Sequence, residues 1–227
     1  MNSQPWGSGP IQPQPPAREP ILKVPTVALV LALSMLVLYD LQLRLPDDGL
    51  RWAFYPSTLP ENLGWPGLVT AMFVHTSWAH AATNALLALI FAAPVARMLP
   101  GGRGLAALLV FYMGCGIVAS LGYGIVHLNS DAPAAGASGA VCGLLGAGIR
   151  LILRPAWAGP RPLGDRQTLI SLIALVTLSV IYGLIGYAPG IGGIGIGWEA
   201  HVVGMVAGYL AIGPLFRWSR TWTSFTG

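Results

Sequence analysis

The sequence predicts an all-α membrane protein, a bundle of six membrane-spanning helices with both termini in the cytoplasm. Three observations predict it. First, only 9% of the 227 residues are charged, while 54% are hydrophobic and 30 more are glycine. Soluble domains carry ~25% charge, and 12 basic and 8 acidic side chains cannot cover a soluble surface of this size. Second, six apolar runs approach the ~20 residues needed to cross a ~30 Å hydrocarbon core. Third, the basic residues sort to one side of those runs. So apolar a chain is not disordered either.

Residues 1–24 read as a flexible cytoplasmic tail. Pro5, Pro10, Pro13, Pro15, Pro16 and Pro20 crowd it, and no basic stretch leads into a short apolar core as in a secretion signal. The spans follow at 25–43, 77–97, 104–127, 137–153, 167–187 and 199–216. Pro100-Gly101-Gly102 separates the second from the third. Pro155, Pro160 and Pro162 separate the fourth from the fifth, and Pro189-Gly190-Ile191-Gly192-Gly193 the fifth from the sixth. The fourth is short, hemmed in by Pro133 and Pro155. A short span works when one end is recessed and faces water. The longest loop, 44–67, carries Trp52, Phe54, Tyr55 and Trp65, which suit the membrane interface. Residues 218–227 form a short second tail.

Charge sets the topology. Arg18, Lys23, Arg97, Arg103, Arg150, Arg154, Arg161, Arg166, Arg217 and Arg220 fall on one side; Arg44 and Arg51 fall on the other. The excess of basic residues marks the cytoplasmic side, and six spans keep this partition intact. The net charge of +4 is scattered, with no basic stripe interleaved with aromatics, so nucleic acid is not an expected partner. The lipid bilayer is. Cys115 and Cys142 sit in apolar runs without metal-ligand spacing and read as packing residues.

Polar residues inside spans are costly and mark function. Here they are His75, His80, Asn84, Ser138 and His201, all toward the outer side. Ser138, in Gly136-Ala137-Ser138-Gly139, opens the fourth span. It reads either as a helix cap or as a nucleophile, with unpaired N–H groups beside it and glycines that let a substrate approach. His201 needs a partner in its apolar span, and a serine hydroxyl is a suitable one. Ala200, Gly204 and Gly208 recur every four residues, as do Gly139, Gly143 and Ala147. Small residues at that spacing let helices pack closely, so the fourth and sixth spans are expected to touch. Ser138 and His201 would then meet as nucleophile and base. Glu199 lies on another face and reads as interfacial.

His80 and Asn84 are i, i+4 on one face. They read as an interhelical hydrogen-bonding pair or as donors to an oxyanion. Asn is a poor zinc ligand and no third ligand stands nearby, so no metal and no cofactor is expected. His75 is expected to pin the loop before the helix, and His127 to be a solvated loop residue.

The three motifs together resemble the rhomboid family of intramembrane serine proteases. The family pattern is His-x4-His-x3-Asn on the second span, Gly-x-Ser-Gly opening the fourth, and Ala-His-x2-Gly-x3-Gly on the sixth. This chain carries His75/His80/Asn84, Gly136-Ala137-Ser138-Gly139, and Ala200-His201 with Gly204 and Gly208, in that order. The resemblance spans roughly 25–217 and implies a six-span protease domain there. It implies Ser138 as nucleophile and His201 as general base, a dyad with no acid. His80, Asn84 and the Ser138 N–H would form the oxyanion hole, and Gly136 would shape the turn. Substrates would be transmembrane proteins cut within or near a helix. They would enter beside the fifth span under a cap formed by residues 188–198.

Two positions depart from the family pattern. Trp65-Pro66-Gly67 stands where members often have Trp-Arg, and Cys142 where they often have Tyr. The other readings are a rhomboid-like pseudoprotease that binds membrane clients without cutting, and a small transporter or channel. The first is disfavoured because serine and histidine are both present. The second is disfavoured because the polar groups cluster on one side and no internal repeat is evident. The compact form suggests a bacterial inner membrane, with the site toward the outer side.

Overall fold

The computed structural model describes residues 24–99, 101–186 and 197–221. The expected tail over 1–24, apart from Val24, lies outside the described residues. So do most of the expected cap over 188–198 and the last six residues of the second tail.

Helices form at each of the six apolar runs: α1 (Thr26–Gln42), α4 (Trp78–Met98), α5 (Gly101–Val126), α6 (Ser138–Leu151), α7 (Arg166–Ile185) and α8 (Trp198–Thr221). Two single-turn helices, α2 (Leu59–Asn62) and α3 (Gly67–Thr70), lie in the long first loop. No strand occurs among the described residues. By length and composition, α4, α5, α7 and α8 suffice to cross a membrane; α1 and α6 are shorter apolar helices.

Local chemistry sets the ends. Ser77 caps α4, its hydroxyl accepting from the His80 N–H at 3.1 Å. Asp165 caps α7, accepting from the Thr168 N–H at 3.0 Å. That bond, aided by Arg161, holds the Asp165 carboxyl below its usual range. Gly186 ends α7 in the left-handed conformation, φ +66°. α6 stops where Ile152 turns extended ahead of Pro155.

One boundary differs from expectation. α5 begins at Gly101, so Gly101 and Gly102 are helical rather than part of the break. Glycine weakens a helix by only about 1 kcal/mol, too little by itself to end one. Close packing explains Gly104, where a Cβ would lie 1.7 Å from the Leu99 carbonyl oxygen.

α6 occupies the middle, against α4, α5 and α8, while α1 lies against α4. One apolar core joins α1, α4, α5, α6 and α8, with Leu108, Leu144, Val95 and Ile212 fully buried. α7 is peripheral: it leans mainly on α8 and buries only Thr168. An all-round apolar helix with so little buried presents its surface to lipid.

The first loop is tied down at several points. Buried Gln42 at the end of α1 forms two hydrogen bonds with the His75 backbone, both 2.8 Å. Phe54 and Ala134 exchange backbone bonds of 2.9 and 2.8 Å. A satellite core of Phe54, Leu59 and Ala71 lies beneath. Just past the end of α1, Arg44 pairs with Asp40 at 2.7 Å, so the one acidic side chain of α1 has its counter-charge beside it.

Candidate active site

The contact between α6 and α8 is made backbone to backbone. A Cβ on Gly204 would lie 2.1 Å from the Gly139 oxygen, and one on Gly208 would lie 1.8 Å from the Gly143 oxygen. On the facing helix, a Cβ on Gly146 would lie 1.9 Å from the Met205 oxygen. No side chain fits at these positions, so the two helices approach as closely as main chains allow. The expected touching of the fourth and sixth apolar segments is thus observed, and the glycine spacing accounts for it.

This close contact sets the dyad geometry. Ser138 is the first residue of α6 and His201 lies in the first turn of α8. His201 Nε2 is 2.8 Å from Ser138 Oγ, a proper hydrogen-bond length. No side chain caps α6. Its first N–H groups therefore stay without helical partners, and the positive end of the helix dipole falls at Ser138. The capping reading of Ser138 is not what the hydroxyl does here: its hydrogen bond goes to the imidazole.

The turn into Ser138 is held on both sides. Ala134 bonds Phe54, and the Gly136 N–H donates to the Ala71 oxygen at 2.9 Å. Gly136 has φ +123°, a region costly for any residue with a side chain. It also lies against His80. A Cβ there would come within 2.7 Å of the His80 ring and 3.8 Å of Asn84 Nδ2. Glycine is needed at 136 for both reasons.

His80 and Asn84 are buried directly behind Gly136, at 6% and 2% exposure. Asn84 Nδ2 donates to the His80 oxygen at 3.1 Å, and its second N–H remains available. His80 Nδ1 is 3.1 Å from Thr76 Oγ1. With the threonine donating, the ring proton sits on Nε2, the atom facing Gly136. A cavity of about 100 Å³ opens in front of the dyad, enough for several waters. Ser138, His201, Gly136, Thr76 and Tyr123 line it; His80 and Asn84 do not. The structure thus brings Ser138 and His201 together in the cavity and sets His80 and Asn84 in the wall behind it.

The other expected residues take distinct places. Gly139 packs on α5, where a Cβ would lie 2.6 Å from Ala119 Cβ. His75 does pin the loop, but through its backbone. Its ring is buried edge-on to His80, centroids 5.2 Å apart, and neither ring nitrogen has a partner. Burial, then the nearby His80, pulls its pKa down to about 3. His127 lies in the turn after α5, as expected of a loop residue, and is about a third exposed, but it is not left to solvent alone. Its Nε2 lies 3.0 Å from Glu199 Oε1, and its ring packs on Tyr123 at 4.4 Å. The pair joins the end of α5 to the start of α8, two residues before His201.

Thr76, Gln42 and the His127–Glu199 pair had no signal in the sequence pattern. Each is a lone polar residue, and Gln42 and His127 find their partners 33 and 72 positions away.

A family model described as the Rhomboid domain matches residues 62–218. The matched region runs from the end of α2 through most of α8 and takes in every residue of the site; α1 lies before it. No curated protein matches the chain.

Proposed function

The chain belongs to the rhomboid family, a family generally made of intramembrane proteases, and on that footing we propose that it is an intramembrane serine endopeptidase. One observation carries the reading: the 2.8 Å hydrogen bond between Ser138 Oγ and His201 Nε2, at an uncapped helix start facing a cavity. Its substrates are transmembrane proteins.

Ser138 Oγ attacks the scissile carbonyl carbon, and its proton passes to His201 Nε2. The carbonyl oxygen becomes an oxyanion, stabilised by the Ser138 N–H and by His80 and Asn84. Those two lie behind Gly136, so the substrate oxygen must come close to that glycine, which has no side chain to block it. As the C–N bond breaks, His201 gives the proton to the leaving amine. Water, with His201 again as base, then releases the acyl group from Ser138.

In this reading the domain spans 25–217 and crosses the membrane six times, with both termini cytoplasmic. That arrangement is supported by the partition of basic residues. The site faces the outer side of a bacterial inner membrane. A substrate helix enters beside α7, the helix with the least buried surface. A peptide bond in an intact helix is shielded, so the segment unwinds in the wet cavity, where non-helical backbone is tolerated.

The test is labelling of purified protein by a fluorophosphonate probe, with Ser138→Ala and His201→Ala as controls. Labelling that both substitutions abolish is the expected result. Folded wild-type protein that takes up no label would sink the protease reading and leave client binding without cleavage.

A further inference from the structure

The opposite end of the same two helices holds a second cavity, of about 420 Å³. Two arginines line it. Arg150, at the last turn of α6, is only 5% exposed. Its Nε donates to the Arg161 oxygen and its Nη1 to the Tyr209 oxygen, both at 2.7 Å. Arg217, near the end of α8, is exposed.

The two carbonyls and the Tyr209 ring, its centroid 5.3 Å from the guanidinium carbon, orient Arg150 but bring no formal negative charge to it. A buried cation without a counter-charge is costly, and arginine cannot relieve the cost by losing its proton. Arg217, a second cation on the same cavity, adds to the positive potential. Among the described residues, no acidic side chain lines the space. The nearest acid in sequence, Asp165, is engaged as the α7 cap and lies 3.5 Å from Arg161. The cavity therefore lacks one thing, an anion.

Its walls indicate which kind. Leu163, Leu210, Pro214 and Phe216 are among its apolar lining, and Leu163 and Leu210 are about half exposed. Arginines beside open apolar side chains match a molecule with a charged head and an acyl body. The chain is a multi-pass membrane protein, and this end lies about 18 Å along α6 from Ser138 by the rise of a helix. In the proposed orientation it meets the cytoplasmic leaflet, where anionic lipids attract basic pockets between helices.

We infer that this cavity binds the phosphodiester headgroup of an anionic phospholipid. Arg150 and Arg217 hold the phosphate, while the acyl chains leave over Leu163 and Leu210. The site rests on the membrane orientation and not on the protease chemistry.

The test uses the purified full-length protein in detergent. It reads lipid retention by native mass spectrometry and the unfolding midpoint with added phosphatidylglycerol, phosphatidylcholine or inorganic phosphate. Arg150 holds two elements together, so the informative variant is Arg217→Gln, with Arg166→Gln as a basic residue outside the cavity. Wild type is expected to retain phosphatidylglycerol over phosphatidylcholine and to be stabilised by it. Arg217→Gln should weaken retention about fivefold, the worth of one basic residue at a lipid surface, and Arg166→Gln should not. Equal retention of both lipids overturns the inference, as does an unaffected Arg217→Gln. Stabilisation by inorganic phosphate as strong as by the lipid also overturns it, leaving a free-anion site. None of these readouts uses proteolysis, so the inference and the protease reading fail separately.

Discussion

Replacing Gly208 with alanine tests whether the main-chain contact between α6 and α8 sets the dyad. The new Cβ would lie 1.8 Å from the Gly143 oxygen, with the Gly143 carbon at 2.5 Å and its Cα at 2.7 Å. All three are backbone atoms, so no side chain can turn aside. Ordinary contact begins near 3.4 Å, so the helices must part locally by about 1.6 Å. Overpacking of this kind costs about 1–3 kcal/mol. The larger effect should be on chemistry. Ser138 sits five residues above Gly143, about 7.5 Å along the helix, and any splaying lengthens the 2.8 Å hydrogen bond to His201. A misplacement of about 1 Å costs on the order of 100-fold in rate. Fluorophosphonate labelling rates, read alongside thermal unfolding, give both quantities. The control is Gly114→Ala on α5, where a Cβ meets nothing within 4 Å; it should leave the labelling rate unchanged. A Gly208→Ala protein that labels and melts like wild type would refute the argument.

Three further outcomes follow from the site. Thr76→Val removes the hydroxyl beside His80 Nδ1 and should slow acylation about tenfold, below the ~100-fold or more of losing an oxyanion donor outright. Thr76→Ser should restore the rate, and an unchanged rate in the valine variant would remove His80 from the oxyanion hole. Gln42→Leu strips two buried bonds from the His75 backbone and should cost about 2–3 kcal/mol, read as a lower unfolding midpoint. The third outcome concerns acid. The folded loop holds His75 neutral down to about pH 3, whereas the unfolded chain binds a proton there below about 6.5. Stability is therefore lost as pH falls from about 6.5 toward 3. His75→Met should flatten that acid limb in a melt series across pH, and an identical limb would show that the titrating group lies elsewhere.

The helices were legible because lipid imposes one rule on every span, and apolar runs broken by proline and glycine expose it. The closeness of Ser138 and His201 was legible for a related reason. Ala200, Gly204 and Gly208 advertise a helix face without side chains, and Gly139 with Gly143 answers it. What stayed hidden was the support. Thr76 beside His80, Gln42 beneath His75 and Glu199 opposite His127 are single polar residues whose partners are set by the fold, with no period to reveal them. Glu199 illustrates the limit well: two positions from His201, it does lie on another face as the helix period requires, yet the residue it meets could not be read. Gly101 and Gly102 misled in the other direction, since a glycine costs a helix only about 1 kcal/mol and so marks a break less surely than a proline.

α6 has 14 residues and spans about 21 Å, while α4 with 21 residues spans about 32 Å. Only the longer helices around it need match the ~30 Å hydrocarbon core. In the proposed orientation α6 is anchored at its inner end by Arg150, so its shortfall of about 9 Å lies wholly on the outer side, above Ser138. In that orientation the shortfall leaves room for solvent above the serine, on the side where the cavity of about 100 Å³ opens. The height of that room changes with the lipid: a thicker bilayer deepens the well above the serine, a thinner one makes it shallower. On the proposed function and orientation, membrane thickness would thereby control hydrolytic water, acting through geometry on a dyad whose own spacing it leaves alone.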